Sequence, residues 1–99
     1  MNEFASFLKG IRLKSRYTQT QFAAKLGIDT AALSKIENGK KEFDPKKLEI
    51  LSEEFNINLE ELKLEYFGEK IALELYKNKC PAKTFKIAEE KYHCFEVNV

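Results

Sequence analysis

The sequence predicts an all-α fold, in which five helices form a domain and a helical extension follows at the C-terminus. Apolar residues recur every three or four positions along nearly the whole chain. Residues that start helices also alternate with glycines that end them. Only the last five residues, FEVNV, alternate in the manner of a strand, and a frayed tail is the other interpretation. The 99 residues, 43% of them hydrophobic and 33% charged, have the composition of one globular domain.

The first two helices follow from an apolar face and a capping pattern. The first is predicted over residues 3–15, where apolar side chains at positions 4, 7, 8 and 11 share one face. Thr18 and Gln21 have the spacing of a capping box that opens the second helix, and Tyr17 is placed to pack on Phe22. Gly27 ends this helix, because glycine adopts the left-handed conformation without strain.

Three further helices begin at residues that cap helix N-termini. Asp29 is the predicted N-cap of the third helix, which ends at Gly39. Asp44 and the proline after it start the fourth helix. Asn58, with a glutamate three residues later, starts the fifth helix as a second capping box. These signals place the five-helix domain in residues 1–63.

The fifth helix is predicted to continue to about residue 78 with apolar residues on two sides. One stripe contains Leu62, Tyr66, Leu73 and Tyr76, and the other contains Leu64, Phe67, Ile71 and Leu75. A helix that is apolar on two sides must be covered on both, so we expect one side to rest on the other helices and the other to contact a second subunit. Gly68 is a position at which this helix can kink or divide.

The predicted extension, residues 64–99, is therefore expected to mediate dimerisation. A last helix is expected to start at Pro81 and to carry apolar residues on one face. The residues predicted for the dimer interface are Tyr66, Phe67, Ile71 and Leu75.

Residues 18–40, which read TQTQFAAKLGIDTAALSKIENGK, predict two short helices joined by a glycine turn. This helix-turn-helix arrangement lets the second helix enter the major groove of DNA, which is about 12 Å wide. The residues predicted to read bases on that helix are Thr30, Ala31, Ser34 and Lys35. Lys35 can donate to guanine O6 and N7, and Thr30 can approach a base edge or a thymine methyl. Ala31 can contact only apolar surface.

The segment QFAAKLGIDTAALSKIENGK resembles the helix-turn-helix of lambda-repressor-like regulators, also called Cro-like or xenobiotic-response-element-like, and the similarity covers residues 6–62. The residues in register are Gln19, Ala23, Gly27, Leu33, Ser34, Ile36, Glu37, Gly39 and Lys40. The resemblance implies base reading by Thr30, Ala31 and Lys35. It also implies an ion pair between Arg12 and Glu37, which we interpret as structural. Phosphate contacts are predicted at Thr18, Gln19, Asn38, Lys40 and Lys41.

The extension resembles a narrower group. The stretches YFGEKIALELYKNKC and KIAEEKY are similar to the C-terminal extensions of small regulators encoded beside DNA methyltransferases in restriction–modification loci. This similarity implies that the chain regulates the expression of such genes.

The charge is distributed unevenly along the chain. Residues 1–47 carry ten Lys and Arg against five Asp and Glu, whereas residues 48–99 carry seven against eleven. A basic first half predicts an anionic partner there, and double-stranded DNA fits the motif. No apolar run approaches the roughly 18 residues that cross a membrane, and the N-terminus is not a signal peptide. We therefore expect a cytoplasmic homodimer that does not bind membranes.

Two other functions remain open. The chain can be an antitoxin, whose acidic C-terminal part binds a toxin while its N-terminal part autoregulates an operon. It can also be a protein-interaction adaptor that no longer binds DNA. An enzyme is not expected, because no nucleophile–base set or phosphate-binding loop is present, so no catalytic residue is predicted. Cys80, His93 and Cys94 lack a fourth ligand and chelating spacing, so neither a metal site nor a cofactor is predicted.

Overall fold

A computed structural model describes residues 3–98, which form six α-helices and one 3₁₀ turn and contain no β-strand. The helices are α1 (Glu3–Lys14), α2 (Gln19–Leu26), α3 (Thr30–Glu37), α4 (Leu48–Phe55), α5 (Leu59–Lys77) and α6 (Thr84–Asn98). The 3₁₀ turn, Pro45–Lys47, precedes α4. The predicted all-α class with a helical extension is confirmed. None of the helices in this described part is long and apolar enough to span a membrane.

The chain divides into two compact units, Met1–Glu69 and Lys70–Val99, and α5 contributes residues to both. The first unit thus extends past the predicted boundary at residue 63. Tyr66 is buried in the core of the first unit, and its hydroxyl donates to the backbone carbonyl of Phe43. Glu69 Oε1 accepts hydrogen bonds from the backbone N–H groups of Glu3 and Phe4 at the start of α1. These contacts join the first half of α5 to the five-helix domain.

The helix starts agree with the capping pattern of the sequence. The Gln21 backbone N–H donates to Thr18 Oγ1 at 3.1 Å, and the Thr18 backbone N–H donates to Gln21 Oε1 at 2.9 Å. This reciprocal pair is the predicted capping box. Asp29 Oδ1 accepts from the Ala32 backbone N–H at 2.7 Å and caps α3. The 3₁₀ turn that follows Asp44 delays the start of α4 to Leu48, three residues beyond the predicted proline start.

Both glycines of the helix-turn-helix segment have positive φ values. Gly27 has φ 69°, and the backbone N–H of Ile28, the next residue, donates to the Ala23 carbonyl. Gly39 has φ 72°, and the next backbone N–H, that of Lys40, donates to the Lys35 carbonyl at 2.8 Å. These are Schellman motifs, which end a helix in one left-handed residue.

The first unit has one hydrophobic core. Its buried members are Phe4, Leu8, Phe22, Ala23, Leu26, Leu33, Ile36, Phe43, Leu48, Leu51, Leu62 and Tyr66. Phe55 packs against this core and lies between Tyr17 and Phe22, which the sequence predicted to contact each other. Its ring centroid is 5.7 Å from that of Tyr17 and 4.6 Å from that of Phe22. Tyr17 therefore contacts the core mainly through Phe55 of α4.

The second unit has a different character, because none of residues 70–98 is buried. Its exposed large apolar residues are Ile71, Leu73, Tyr76, Phe85, Ile87, Tyr92, Phe95 and Val97. Gly68 does not interrupt α5, which runs from Leu59 to Lys77 without a break. The alternating segment before residue 99 continues α6 to Asn98. An isolated strand leaves its backbone groups unpaired, whereas a helix pairs them within the segment.

Candidate nucleic-acid interface

The α2–turn–α3 segment is fixed from its buried side. Leu26 of α2 and Leu33 and Ile36 of α3 are buried in the core. On the outer side, the Thr30 and Thr20 hydroxyl oxygens lie 3.4 Å apart in a side-chain hydrogen bond between the two helices. The turn itself is tight, since only three residues separate the end of α2 at Leu26 from the start of α3 at Thr30, and the first of them, Gly27, has φ 69°. The sequence thus builds a compact pair of helices with one face of α3 left outward.

The four predicted base-reading residues lie on that outward face. Ala31 and Lys35 are exposed, and Thr30 and Ser34 are half-buried. The opposite face of α3 carries the buried Leu33, Ile36 and Glu37. The accessible side chains are small except for the lysine, so the backbone of α3 can approach a groove floor closely.

The arginine and glutamate expected to pair do so in two hydrogen bonds. Arg12 Nε donates to Glu37 Oε2 at 2.7 Å, and Arg12 Nη2 donates to Glu37 Oε1 at 3.1 Å. Arg12 Nη1 also donates to the Tyr17 backbone carbonyl at 3.0 Å. The side chains are 11% and 2% exposed, respectively. A bidentate pair at this depth holds α1, the start of α2 and the end of α3 in one arrangement.

Gln19 takes part in the same network, a role that the sequence did not indicate. Its Nε2 donates to Glu37 Oε1 at 3.1 Å. A side-chain amide has two N–H donors, so the second remains for a phosphate oxygen. The hydroxyl of Thr18, the neighbouring predicted phosphate ligand, accepts from Gln21 and keeps its own O–H as a donor. Both residues lie at the N-terminus of α2, where the helix dipole favours an anion.

The other predicted phosphate ligands lie in the loop after α3. Asn38, Lys40 and Lys41 are all exposed. The Schellman motif at Gly39 fixes the backbone as far as Lys40. Sequence reasoning missed the anchor at the other end of this loop, where the single O–H of Tyr66 in α5 is shared between the Phe43 carbonyl at 2.5 Å and Glu42 Oε1 at 3.1 Å. The position of Tyr66 four residues after the buried Leu62 is the signal that could have indicated its inward direction.

Tyr66 was also predicted to lie in the dimer interface, and the structure buries it in the first unit instead, with 5% exposure. Burial, together with the nearby Glu42 carboxylate, raises its pKa to about 12. The other three predicted interface residues remain accessible. Phe67 is 39% exposed, Ile71 is 51% exposed and Leu75 is half-buried.

The acidic residues of the second half of the sequence cluster before residue 70. Residues 48–69 carry seven glutamates and one lysine, whereas residues 70–99 carry six lysines and four glutamates. The C-terminal unit is therefore slightly basic, and the acidic segment comprises α4 and the first half of α5. Phosphate would be repelled by that segment and attracted by the lysines of residues 35–47.

Residues 3–98 contain no group of three or more His, Cys, Asp or Glu side chains placed to hold a metal ion. His93 Nδ1 lies 2.9 Å from Glu96 Oε1 on the same helix. Both cysteines have free thiols, with Cys80 half-buried and Cys94 exposed. The geometry that stands out in the described part is therefore the helix-turn-helix, with donors at the start of α2 and exposed lysines in the loop after α3.

Comparison with known proteins agrees with this geometry. A family model described as helix-turn-helix matches residues 8–62, which is more than half of the chain. Neither the curated proteins nor the solved structures compared with the chain gave a significant match. The match spans α2, the glycine turn, α3 and the loop that carries the two exposed lysines. The chain belongs to the lambda-repressor-like helix-turn-helix family of DNA-binding transcription regulators.

Proposed function

We propose that the chain is a homodimeric regulator that recognises an inverted-repeat operator in double-stranded DNA. The observation that carries this proposal is the outward face of α3, which presents Thr30, Ala31, Ser34 and Lys35 on a helix fixed at both ends. Each subunit inserts α3 into the major groove of one half-site. A two-fold dimer then reads the same bases twice, in opposite directions.

Within a half-site, the four side chains have different tasks. Lys35 donates to guanine O6 or N7. The Thr30 and Ser34 hydroxyls donate to or accept from base edges, and Ala31 packs against a thymine methyl. Because three of these side chains are short, the protein reads few base edges directly. Part of its sequence preference therefore comes from the shape and flexibility of the DNA.

Phosphate contacts on both sides of α3 orient it in the groove. Thr18 and Gln19 bind a phosphate at the N-terminus of α2, where unpaired backbone N–H groups and the helix dipole favour an anion. Asn38, Lys40 and Lys41 bind the backbone beyond the C-terminal end of α3. These contacts carry no sequence information, and they set the register from which the bases are read.

The dimer forms through the apolar residues of α5 and of the second unit. Eight large apolar side chains between residues 70 and 98 are exposed in the isolated chain. Full burial of one such side chain contributes about 1.5–3 kcal/mol, so burial of several of them supplies a driving force that can offset the cost of association. Leu64, Phe67, Ile71 and Leu75 form a continuous stripe along α5 by their spacing, and this stripe is the proposed centre of the interface.

The first test is selection of bound duplexes from a random DNA library by the purified full-length protein, followed by sequencing. We expect an inverted repeat whose half-site centres are about 10 base pairs apart, because identical helices then enter successive major grooves. A matched control is Lys91→Ala, which removes an exposed charge in α6 and should select the same sequence. Folded protein that enriches no sequence at low salt would contradict the proposal.

The similarity of the extension to regulators encoded beside DNA methyltransferases suggests the genes of a restriction–modification locus as targets. The same selected sequence upstream of a methyltransferase gene would support this assignment. A repressor would lower transcription from that promoter in a reconstituted assay, and an activator would raise it. The regulator is proposed to act in the cytoplasm, where it has access to such promoters.

The antitoxin alternative is weakened by the charge distribution. It was based on an acidic C-terminal part that neutralises a basic toxin. Residues 64–99, the predicted extension, however, carry six lysines and six glutamates, so a basic partner would find little attraction there. Isolation of a stoichiometric protein partner on this extension, in place of a second copy, would restore that alternative.

A further inference from the structure

The loop that carries Lys40 and Lys41 is only a few residues long and is attached to the fold at both ends. At its start, the Lys40 backbone N–H donates to the Lys35 carbonyl at 2.8 Å. At its end, the Phe43 side chain is 3% exposed and packs in the core, where its ring centroid lies 5.5 Å from that of Phe4. Lys41 therefore lies between two backbone anchors.

The second anchor depends on a residue of α5. The Tyr66 hydroxyl donates to the Phe43 backbone carbonyl at 2.5 Å and lies 3.1 Å from Glu42 Oε1. The Tyr66 ring is fixed in turn, because it makes edge contacts with Phe4 and Phe67 at centroid distances of 5.1 and 5.0 Å. The hydroxyl thus holds the backbone and one side chain of the loop from a rigid position.

The contact between the Tyr66 hydroxyl and Glu42 matters for DNA binding. Glu42 directly follows Lys41, and its carboxylate would repel a phosphate bound by that lysine. The hydrogen bond from Tyr66 draws the carboxylate toward α5. Removing the hydroxyl would free part of the loop backbone and take away one of the contacts that position a negative charge beside a positive one.

We propose that Tyr66 is a positioning residue for DNA binding, which holds the loop so that Lys40 and Lys41 face the phosphate backbone while Glu42 is held back. This inference rests on the proposed function and names a determinant outside the helix-turn-helix itself. It also connects the helix proposed for dimerisation to the loop proposed for phosphate contact. Tyr66 touches no DNA and acts through the loop.

The test uses the full-length protein and the duplex obtained by selection. Tyr66→Phe keeps the ring and removes the hydroxyl, and operator affinity is measured at several salt concentrations. We expect about tenfold weaker binding at moderate salt, because one charged contact per subunit is lost or weakened. The slope of log affinity against log salt should become less steep by about two for the dimer, one for each phosphate released. Sequence preference should stay unchanged.

A double-substitution cycle separates positioning from general stability. If Tyr66 acts through the loop, Tyr66→Phe should have little further effect on affinity once Lys40→Ala and Lys41→Ala are present. Independent effects that add would overturn the proposal. Tyr17→Phe is the matched control, since the Tyr17 ring packs against Phe55 at a centroid distance of 5.7 Å and keeps this contact without the hydroxyl, and it should change neither the affinity nor the slope.

A second measurement needs no substitution at Tyr66. Backbone relaxation of the unbound wild-type protein should give order parameters near about 0.85 for residues 40–43, as for rigid backbone. Values below about 0.6 would overturn the proposal, because no anchored loop would exist. The two failures are distinguishable: wild-type protein that selects no duplex contradicts the proposed function, whereas wild-type binding with an unaffected Tyr66→Phe contradicts only this inference.

Discussion

Arg12→Ala should be among the most destabilising single substitutions in the first unit. Arg12 donates three hydrogen bonds, two of them to a glutamate side chain that is 2% exposed. Removing the arginine leaves Glu37 buried with a negative charge and with Gln19 as a remaining donor. Breaking a buried ion pair from one side typically costs about 3–5 kcal/mol. The Gln19 bond and the opening left for water put the expected loss near 3 kcal/mol.

Urea unfolding followed by circular dichroism measures this loss. For a chain of this length, a denaturant slope of about 1.5 kcal/mol per molar urea is reasonable, so the midpoint should fall by about 2 M. Wild type and variant must be compared at one protein concentration, because the stability of a dimer depends on concentration.

The chain offers a matched surface pair as the control. Lys25 Nζ lies 3.8 Å from Glu54 Oε2, and these side chains are 48% and 42% exposed. An exposed pair of this kind contributes at most about 1 kcal/mol, so Lys25→Ala should move the midpoint by less than about 0.7 M. Both substitutions remove a cation paired with a glutamate. The difference between their effects therefore reports burial and geometry rather than charge alone.

A second variant tests the reasoning about the unpaired charge. If the loss in Arg12→Ala arises from an uncompensated glutamate, then replacing both partners with methionine should cost less than Arg12→Ala alone. A midpoint for Arg12→Ala within the range of the Lys25→Ala control would refute the structural role of the pair. A double methionine variant that loses as much stability as Arg12→Ala, or more, would refute the unpaired-charge explanation.

Four further outcomes are expected. Lys35→Ala should reduce the binding preference for one base in each half-site by about 1–3 kcal/mol, measured over a panel of operator variants. An unchanged preference would show that Lys35 does not read bases. Arg16→Gly should raise the stability of the first unit by about 0.5–1 kcal/mol in urea unfolding, because Arg16 has φ 61° at the end of α1 and glycine adopts this left-handed conformation without strain. A loss of stability would mean that the Arg16 side chain makes a compensating contact. Ile71→Asp should weaken self-association at least about a hundredfold in sedimentation equilibrium, whereas Leu13→Asp, at an exposed apolar position of α1, should leave it unchanged. Stability should fall as the pH rises from 10 toward about 12, because the raised pKa of Tyr66 favours folding only while the hydroxyl stays protonated, and Tyr66→Phe should flatten this decline if the attribution is correct.

Local signals in the sequence predicted the helix-turn-helix well. The capping and turn residues form hydrogen bonds with neighbours no more than about four positions away, so their effect on the helix ends can be predicted without knowing the fold. These residues are Thr18 with Gln21, Asp29, Gly27 and Gly39. The predicted start of α4 was less accurate, because a proline at the first position is compatible with a 3₁₀ turn as well as with an α-helix.

Long-range contacts explain the parts that could not be predicted. Tyr66 lies 23 residues from Phe43 and Glu69 lies 66 from Glu3 along the chain, and their hydrogen bonds fix where the first unit ends. A stripe on a helix indicates which residues share a face, but it does not say which face meets the core. For the same reason, the predicted interface set combined the buried Tyr66 with the accessible Phe67 and Ile71.

The distribution of charge favours one orientation of the first unit on DNA. Seven glutamates and a single lysine occupy residues 48–69, in α4 and the first half of α5. Five lysines, by contrast, lie between residues 35 and 47, in α3, the loop after it and the 3₁₀ turn. Phosphates attract the second segment and repel the first, so encounters that present α4 to the duplex are unfavourable before any base is read. Replacing three of those glutamates with glutamine should therefore strengthen binding to unrelated duplexes more than binding to the operator, and an equal gain on both would mean that the acidic segment lies too far from bound DNA to influence its orientation.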